Sequence, residues 1–297
     1  MKTIAVTGAS GLVGTVFCEL ARANGHRVFG LARVAAPSAQ TPGWNIKSGQ
    51  FVLPDNARAD VVVHLAGETV VGRWTPQKKR AILDSRVPAT RALATFLAQQ
   101  STPPEVFVSA SAIGIYGNRG DAPLDETAMA GTGFLARVAT EWEDATLPAK
   151  AAGIRVVTPR LGIVLSTQGG ALAAMRPPFA LGLGGPMGKG TQWMSWISLE
   201  DTARALLHVV ETREIAGPLN FVAPEPVRNR EFAQTLAAQL RRPALLPVPG
   251  FVLRLLLGEA ADGMLLYSSR VVPAHLENSG FQWNSPNLAE ALKKELA

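Results

Sequence analysis

A glycine-rich turn, GASGLVG, directly follows the first apolar run of this 297-residue chain. Residues 2–7 have the pattern of a buried strand, and residues 12–23 have the apolar spacing of a helix that ends at Asn24 and Gly25. Strand, tight turn and helix in this order predict the opening of a β-α-β unit, whose next strand runs parallel to the first.

Each glycine of this turn has its own physical role in a dinucleotide site. Gly8 allows the tight turn, Gly11 lets a pyrophosphate approach the backbone, and Gly14 lets the helix pack closely on the strand. The free N–H groups at the start of the helix would then bind the anion. A purely structural turn is the alternative, but the position between the first strand and the first helix favours nucleotide binding.

The acid that usually marks an NAD site is missing. Such sites place Asp or Glu about 20 residues beyond the turn, where the carboxylate holds the ribose 2′-hydroxyl. Here no acid occurs between Glu19 and Asp55, and the strand pattern of residues 27–32 leads into Arg33. A guanidinium can bind a 2′-phosphate through paired N–H donors, so we predict NADP(H) as the cofactor. The alternative for Arg33 is an ordinary surface arginine.

Strand and helix patterns alternate through the first half of the chain. Further apolar runs predict strands at residues 61–65, 105–109 and 154–160. Residues 76–100 predict one long helix with a kink at Pro88, and a helix of about 18 residues opens near Thr132. Strands that are apolar nearly throughout indicate a sheet covered on both faces, so we predict an α/β fold with a doubly wound parallel sheet.

The pattern changes after residue 165. Residues 168–189 are rich in Gly and Pro and are predicted to be a loop-rich insertion without a helix or strand. The alternation of strand and helix then returns in residues 196–222. We predict a dinucleotide-binding domain from residues 1–165 and 196–222, and a smaller substrate lobe from residues 166–195 and 223–297, with a small C-terminal domain from about residue 245.

Composition excludes several classes of protein. The net charge is +6, and the first 100 residues alone contain 12 basic against 5 acidic side chains, which suits a small anionic cofactor better than nucleic acid. The lone Cys18 and the spacing of the four histidines predict no disulfide framework and no metal site. No apolar run approaches roughly 20 residues, and a strand pattern follows Met1 directly, so we expect a cytoplasmic protein without a membrane span. A small-molecule substrate is the expected partner, and a homodimer is left open.

Several motifs together carry a family resemblance. TGASGLVG, HLAGE, SASAIGIYG and WISLEDTARA resemble the extended short-chain dehydrogenase/reductases of the NAD-dependent epimerase/dehydratase superfamily. The fuller series LAGE, RW, KK, SR and LGLGGPMGKGTQWMSWI is similar to an atypical epimerase-like subgroup, also described as sugar-nucleotide epimerases or cell-division-inhibitor-like proteins. The resemblance implies a Rossmann-like sheet and a small C-terminal domain of undefined function.

The glycine turn and the resemblance together imply a set of cofactor contacts. Its members are Gly8, Ser10, Gly11, Leu12, Val13, Arg33, Leu65, Ala66, Gly67, Glu68 and Arg86. The three residues before Glu68 lie at the carboxyl end of a predicted parallel strand, where open α/β sheets bind their ligands. A simple strand-to-helix turn is the alternative for this segment, and a salt bridge between Glu68 and Arg86 is the alternative for Glu68.

The acid–base pair of the resembled family is absent. Short-chain dehydrogenases use a Tyr and a Lys four residues later, so that the ammonium lowers the pKa of the phenol. On the helix expected to carry this pair, Leu135 and Ala139 occupy the two positions. Ser109, Ser111 and Tyr116 are therefore the catalytic candidates. Ligand contact is the alternative for the serines, and packing or a loop hydrogen bond is the alternative for Tyr116.

The glycine-rich segment 184–196 is the candidate substrate lid. Lys189 could bind a phosphate, and the indoles of Trp193 and Trp196 could stack on a flat group. The alternative is an ordered loop whose tryptophans complete the core. His64, inside an apolar strand, is interpreted as a satisfied core residue.

These patterns support two predictions of function. The first is an NADP(H)-binding, epimerase-like oxidoreductase that acts at a hydroxyl or carbonyl carbon of a small polar substrate, with a nucleotide sugar as the candidate. The second is an NADPH-binding sensor that has lost the Tyr and Lys pair.

Overall fold

The computed structural model describes residues 1–297, apart from the side chain of Asn56. The elements of the first half are β1 (Thr3–Thr7), α1 (Leu12–Ala23), β2 (Arg27–Leu31), β3 (Gly43–Trp44), β4 (Phe51–Val52), β5 (Val61–His64), α2 (Pro76–Asp84), α3 (Val87–Ala98), β6 (Val106–Ser109), β7 (Ser111–Ala112), β8 (Pro123–Leu124), α4 (Phe134–Asp144) and α5 (Leu147–Ala151).

The second half has shorter strands and more helices. Its elements are β9 (Arg155–Leu161), β10 (Ile163–Leu165), α6 (Gly170–Ala180), β11 (Trp193–Met194), β12 (Trp196–Ser198), α7 (Leu199–Glu211), β13 (Gly217–Phe221), β14 (Val227–Arg228), α8 (Asn229–Gln239), α9 (Gly250–Leu257), α10 (Glu259–Ala261), β15 (Arg270–Val271), α11 (Ala274–Asn278) and α12 (Leu288–Leu296). Short 3-10 or π turns lie at Pro54–Asn56, Ile113–Tyr116 and Asp262–Leu266.

The central sheet is parallel, in the order β13-β9-β6-β5-β1-β2, and β7 also pairs with β9. Successive side chains of a strand point to opposite faces. Ile4 and Val6 of β1 accordingly enter the core shared with α1 and α7, while Ala5 enters the core shared with α3 and α5. The predicted doubly wound parallel sheet with helices on both faces is confirmed.

Two long helices of the sequence prediction are each divided in the structure. The predicted helix 76–100 is α2 and α3, separated at Ser85 and Arg86, because Pro88 lies in the first turn of α3, where its missing N–H costs nothing. The helix expected near Thr132 is likewise α4 and α5, with Pro148 in the first turn of α5. Proline in these places begins a new helix and does not kink an old one.

The prediction that residues 168–189 lack regular structure is wrong, because this segment contains α6. Two prolines, Pro177 and Pro178, lie inside the helix and weaken its sequence pattern. Its buried side chains Leu172 and Phe179 pack in a second core with α8 and α12. Tertiary packing therefore offsets a poor local propensity.

The helix α9 has the densest apolar sequence of the chain, and Phe251 and Leu255 are exposed on it. It is only eight residues long. Among the described residues, no helix combines the length and the apolar character that crossing a bilayer requires.

Candidate functional site

The order of the sheet reverses beside β1, where a crevice opens at the carboxyl ends of β1 and β5. The two following loops touch: a Cβ added at Gly8 would lie 2.8 Å from the backbone N of Ala66. Gly8 also has a φ of +74°, which favours glycine. At Gly14 a Cβ would lie only 2.2 Å from the carbonyl oxygen of Gly8, so α1 packs directly on the turn.

The start of α1 is open to a ligand. Gly11 is the N-cap residue and supplies no side-chain cap, so the first N–H groups of the helix have no side-chain acceptor there. Ser10 and Gly11 are exposed, and Leu12 and Val13 are half-buried. This geometry suits a pyrophosphate at the helix N-terminus.

Arg33 lies just beyond β2, and its backbone forms an isolated bridge with Trp44. The residue is exposed, and among the described side chains none forms a hydrogen bond or an ion pair with its guanidinium. The trace of residues 32–34 is fixed by backbone hydrogen bonds between Trp44 and its neighbours Ala32 and Val34. The structure thus places an unpaired cation on a fixed segment beside the crevice.

Arg86 contacts the loop after β5 through a hydrogen bond to its backbone. Its Nη1 donates to the carbonyl oxygen of Glu68 at 2.8 Å and to that of Ile82 at 3.2 Å. Its guanidinium lies 5.0 Å from the ring centroid of Trp142, and a Cβ added at Gly67 would lie 3.1 Å from Cζ of Arg86. Burial lowers the pKa of Arg86 to about 10. Arg86, the predicted phosphate or ribose contact, thus already uses its Nη1 in hydrogen bonds to backbone carbonyl oxygens.

The Glu68 carboxylate pairs with a different cation from the one expected. Nζ of Lys78 lies 2.8 Å from Oε1 of Glu68, so the alternative of a Glu68–Arg86 salt bridge is wrong. The Lys78 hydrogen bond and its charge lower the pKa of Glu68, with smaller effects from Arg86 and Arg33. Glu68 is exposed at the edge of the crevice.

The three catalytic candidates are all buried, with Ser109, Ser111 and Tyr116 no more than 1% exposed. The Tyr116 hydroxyl donates to Oδ1 of Asn220 at 2.7 Å and accepts from Nη1 of Arg160 at 2.8 Å. Burial raises its pKa, which weakens a phenol further as a base at neutral pH. This placement fits the alternative of packing with a hydrogen bond, and a catalytic role of Tyr116 stays a prediction.

A buried ion pair, missed in the sequence, occupies the neighbourhood of the absent Tyr and Lys. Nε and Nη2 of Arg160 donate to the two oxygens of Glu143, both at 2.9 Å, and Ser111 Oγ donates to Oε1 of Glu143 at 2.6 Å. The pair raises the pKa of Arg160. Glu143 lies on α4 one turn beyond Ala139, so the sequence could have placed it on the same face of the helix. Its partner Arg160 lies on β9, and no local pattern predicts that pairing. The Ser111 hydroxyl therefore already donates its proton to Glu143.

A row of polar side chains ends the central strands on one side of the sheet. Thr7, His64 and Ser109 are register partners on β1, β5 and β6. Thr7 Oγ1 and His64 Nδ1 are hydrogen-bonded at 2.6 Å, but within the described part of the chain His64 Nε2 and Ser109 Oγ have no partner. Burial lowers the pKa of His64 to about 4, so this imidazole is neutral at physiological pH.

A second concave site, with a volume of about 820 Å³, is lined mostly by residues from 188 onward, together with Gly120 and Asp121. Lys189, Arg228 and Arg230 give it a basic wall, and the exposed Phe251 gives it an apolar one. Asp121, paired with Arg228 at 2.7 Å, is the one acid among its lining residues. The predicted substrate residue Lys189 thus lines a cleft, whereas Ser109, Ser111 and the glycine turn are not part of its wall.

Both indoles that were predicted to stack on a ligand already have partners within the protein. The Trp193 ring is covered by the guanidinium groups of Arg228 at 4.1 Å and Arg270 at 4.8 Å, and its Nε1 donates to Asp121. Trp196 is completely buried, and its Nε1 donates to the carbonyl oxygen of Glu225. The Trp196 side chain belongs to the second core, which fits the alternative of a tryptophan that completes the core.

Comparison with protein families divides the chain in two parts. The NAD dependent epimerase/dehydratase family matches residues 4–222. A domain of unknown function, DUF1731, matches residues 248–295. The first match contains the glycine turn, Arg33 and the loop after β5, and the second contains α9 to α11 and α12 up to residue 295.

Relatives similar over their whole length occur in distant organisms. Epimerase family protein ML0860 of Mycobacterium leprae is 42% identical over 290 residues, covering 97% of this chain and 94% of the relative. Epimerase family protein YfhF of Bacillus subtilis is 36% identical over 299 residues, covering 99% and 98%.

Solved structures share the fold over the same extent. Human epimerase family protein SDR39U1 (isoform2), crystallised with NADPH, matches with a TM-score of 0.89 at 33% identity over 98% of both chains. A Thermus thermophilus UDP-glucose 4-epimerase in complex with NAD matches with a TM-score of 0.75 at 18% identity, covering 98% of this chain and 96% of the other. The second likeness concerns the fold alone.

Proposed function

The chain belongs to the NAD dependent epimerase/dehydratase family, and we propose on that premise that it binds NADP(H) in the crevice between β1 and β5. We further propose that it is an epimerase-like oxidoreductase that acts at a hydroxyl or carbonyl carbon of a small anionic substrate. The residue assignments below belong to the same proposal.

The unpaired guanidinium of Arg33 carries the choice of coenzyme. An exposed cation beyond β2 stands where an NAD site holds an acid, and the described residues offer it no counter-ion within hydrogen-bonding distance. A 2′-phosphate would supply that counter-ion through charge-assisted hydrogen bonds. The human relative SDR39U1 was crystallised with NADPH, which supports the same choice.

The remaining crevice residues fit the other parts of a dinucleotide. The open N-terminus of α1, from Ser10 to Val13, would hold the pyrophosphate, since Gly11 supplies no side-chain cap and the first N–H groups of the helix are left for an anion. Leu65, Ala66 and Gly67 would border the adenosine, and Arg86 holds the carbonyl oxygen of the next residue, Glu68. When bound, the nicotinamide supplies hydride transfer, and the protein positions and shields it.

The basic cleft beside Lys189 supports an anionic substrate. Lys189 is exposed, and among the described residues no acid pairs with it; Arg230 donates only to the carbonyl oxygen of Lys189. Two cations beside the exposed ring of Phe251 suit a ligand that joins a phosphate or carboxylate to a flat or apolar group. A nucleotide sugar has this chemistry.

One observation favours a second function, that of an NADPH-binding regulatory protein. The buried Ser111 donates to Glu143, the buried Tyr116 is held by Asn220 and Arg160, and the family's proton-transfer positions carry Leu135 and Ala139. A protein that only binds the coenzyme needs no proton donor.

Coenzyme titration tests the first part of the proposal. Arg33→Ala should weaken NADPH binding by about tenfold or more, because a charged hydrogen-bond partner of the phosphate is lost, and should leave NADH binding unchanged. Arg27→Ala, at the opposite end of β2, is the matched control. Equal effects of Arg33→Ala on both coenzymes would refute the assignment.

Turnover separates the two functions. The protein is incubated with NADP+ or NADPH and a panel of nucleotide sugars and sugar phosphates, and the NADPH absorbance is followed together with product epimerisation by chromatography. Turnover that is lost in Lys189→Ala supports the enzyme. Tight NADPH binding without turnover of any member of the panel supports the regulatory protein.

A further inference from the structure

The ion pair between Lys78 and Glu68 stands at the edge of the crevice, next to the segment that carries Arg33. The strands β2 and β5 flank β1, so their carboxyl ends lie about 10 Å apart. Trp44, the bridge partner of Arg33, also packs edge-on against His64 at the end of β5, with 5.5 Å between ring centroids. The loop carrying Glu68 begins just after His64.

Glu68 therefore brings a negative charge toward the predicted phosphate site, although no acid occurs between Glu19 and Asp55. Its backbone is fixed on both sides, because its N–H donates to Ser85 Oγ at 3.0 Å and its carbonyl oxygen accepts from Arg86. The backbone that carries the Glu68 carboxylate is therefore held in place. Arg33 is among the cations that lower the pKa of Glu68, in agreement with this proximity.

Lys78 neutralises the Glu68 carboxylate. It lies in the first turn of α2, where Thr75 caps the helix and accepts from the Lys78 N–H, so the position of its backbone is fixed as well. Its side chain is 22% exposed and reaches Glu68 at 2.8 Å. The neighbouring Lys79 is paired with Glu259, and Arg80 points to solvent, so neither of them takes this role.

We propose that Lys78 is a specificity-determining residue, which holds the Glu68 carboxylate in an ion pair and so keeps Arg33 available for the 2′-phosphate of NADP(H). A free carboxylate at this edge would repel the phosphate and attract the Arg33 guanidinium. Both effects would act against NADPH and leave NADH nearly untouched, because NADH has no phosphate there. The inference rests on the proposed binding of NADP(H) at this crevice.

The test is a set of coenzyme titrations at low ionic strength, where the screening length is about 30 Å. Lys78→Met should weaken NADPH binding about three- to tenfold, as expected for a carboxylate and a doubly charged phosphate separated by a distance on the order of that between the ends of β2 and β5, about 10 Å. NADH binding should stay the same. Adding Glu68→Gln to Lys78→Met should restore the ratio of NADPH to NADH affinities to within about twofold of that of the wild type.

Arg80→Met is the matched control, since it removes one exposed positive charge from the same helix. It should leave the ratio of NADPH to NADH affinities unchanged. Raising the salt to about 0.5 M should shrink the effect of Lys78→Met, because a charge effect over this distance is screened. Melting temperatures should change by no more than about 2 °C, because exposed ion pairs contribute little stability.

Three outcomes overturn the inference. An unchanged NADPH affinity in Lys78→Met would show that the ion pair has no effect on the coenzyme. A double variant as weak as Lys78→Met would show that Lys78 binds the phosphate itself. A wild-type protein that binds NADH as tightly as NADPH, with Arg33→Ala inert, would refute the proposed NADP(H) site and this inference together, so the two failures are distinguishable.

Discussion

The imidazole of His64 should make this protein acid-sensitive in a pH range that the rest of the core does not explain. The side chain is completely buried between Trp44 and Phe107, and burial lowers its pKa to about 4. In the unfolded chain a histidine has a pKa of about 6.5. Between these values the unfolded state binds a proton that the folded state does not, so the free energy of unfolding falls as the pH falls.

The size of the loss follows from the two pKa values. Each pH unit below about 6.5 removes about 1.4 kcal/mol, until the folded state begins to protonate near the lower value. At about pH 5 the loss is therefore about 2 kcal/mol relative to neutral pH. Above about pH 7 the imidazole is neutral in both states and contributes no pH dependence.

The assay is urea denaturation of the wild type and of His64→Gln at about pH 7.5 and about pH 5. Glutamine keeps a hydrogen-bond partner for Thr7 but cannot titrate. The wild type should lose about 2 kcal/mol more than the variant over this interval. Equal losses would refute the reasoning, as would an NMR titration in which the His64 ring protonates near pH 6.5.

Three further predictions concern the turn and the buried network. Gly14→Ala should lower the free energy of unfolding by about 3 kcal/mol and abolish NADPH binding, because its Cβ would meet a carbonyl oxygen at 2.2 Å. In Gly11→Val the Cβ would lie 3.2 Å from the same oxygen, so this variant should abolish NADPH binding but lower the free energy of unfolding by only about 1 kcal/mol. Denaturation and NADPH fluorescence measure the two effects. Glu143→Leu should destabilise the fold by about 3 kcal/mol, because it leaves Arg160 buried without its counter-ion. Adding Arg160→Met to Glu143→Leu should recover part of the lost stability, and additive losses in the double variant would contradict this prediction. Tyr116→Phe should cost about 2 kcal/mol of stability with an unchanged NADPH dissociation constant, and a selective loss of turnover would support its catalytic role.

The family resemblance and the sheet were both accessible from local patterns. The apolar runs of β1, β5 and β6 are buried on both faces and therefore stand out as continuous hydrophobic stretches. The resemblance that these motifs carry is confirmed by the family match over residues 4–222. The assignments of individual site residues remain predictions, and the structure supplies the geometry for testing them.

The features that local patterns do not show share one physical cause, which is that burial and pairing are long-range properties. The helix α6 is stabilised by α8 and α12, which follow it by dozens of residues. Tyr116 has the sequence setting of an active-site loop, yet Asn220 and Arg160 from two later strands surround its hydroxyl. Trp196 lies in a glycine-rich region, yet it faces the second core.

By itself, the sequence determined the strand-turn-helix opening, the parallel sheet and the missing acid after β2, because strand and helix periodicity, glycine geometry and charge are written in neighbouring residues. Only the tertiary structure decided that Glu68 pairs with Lys78, that Arg86 holds a backbone carbonyl, and that Ser111 is committed to Glu143. A charged or polar side chain takes whichever partner the folded chain brings within about 3 Å, and that choice depends on the packing of elements distant in sequence.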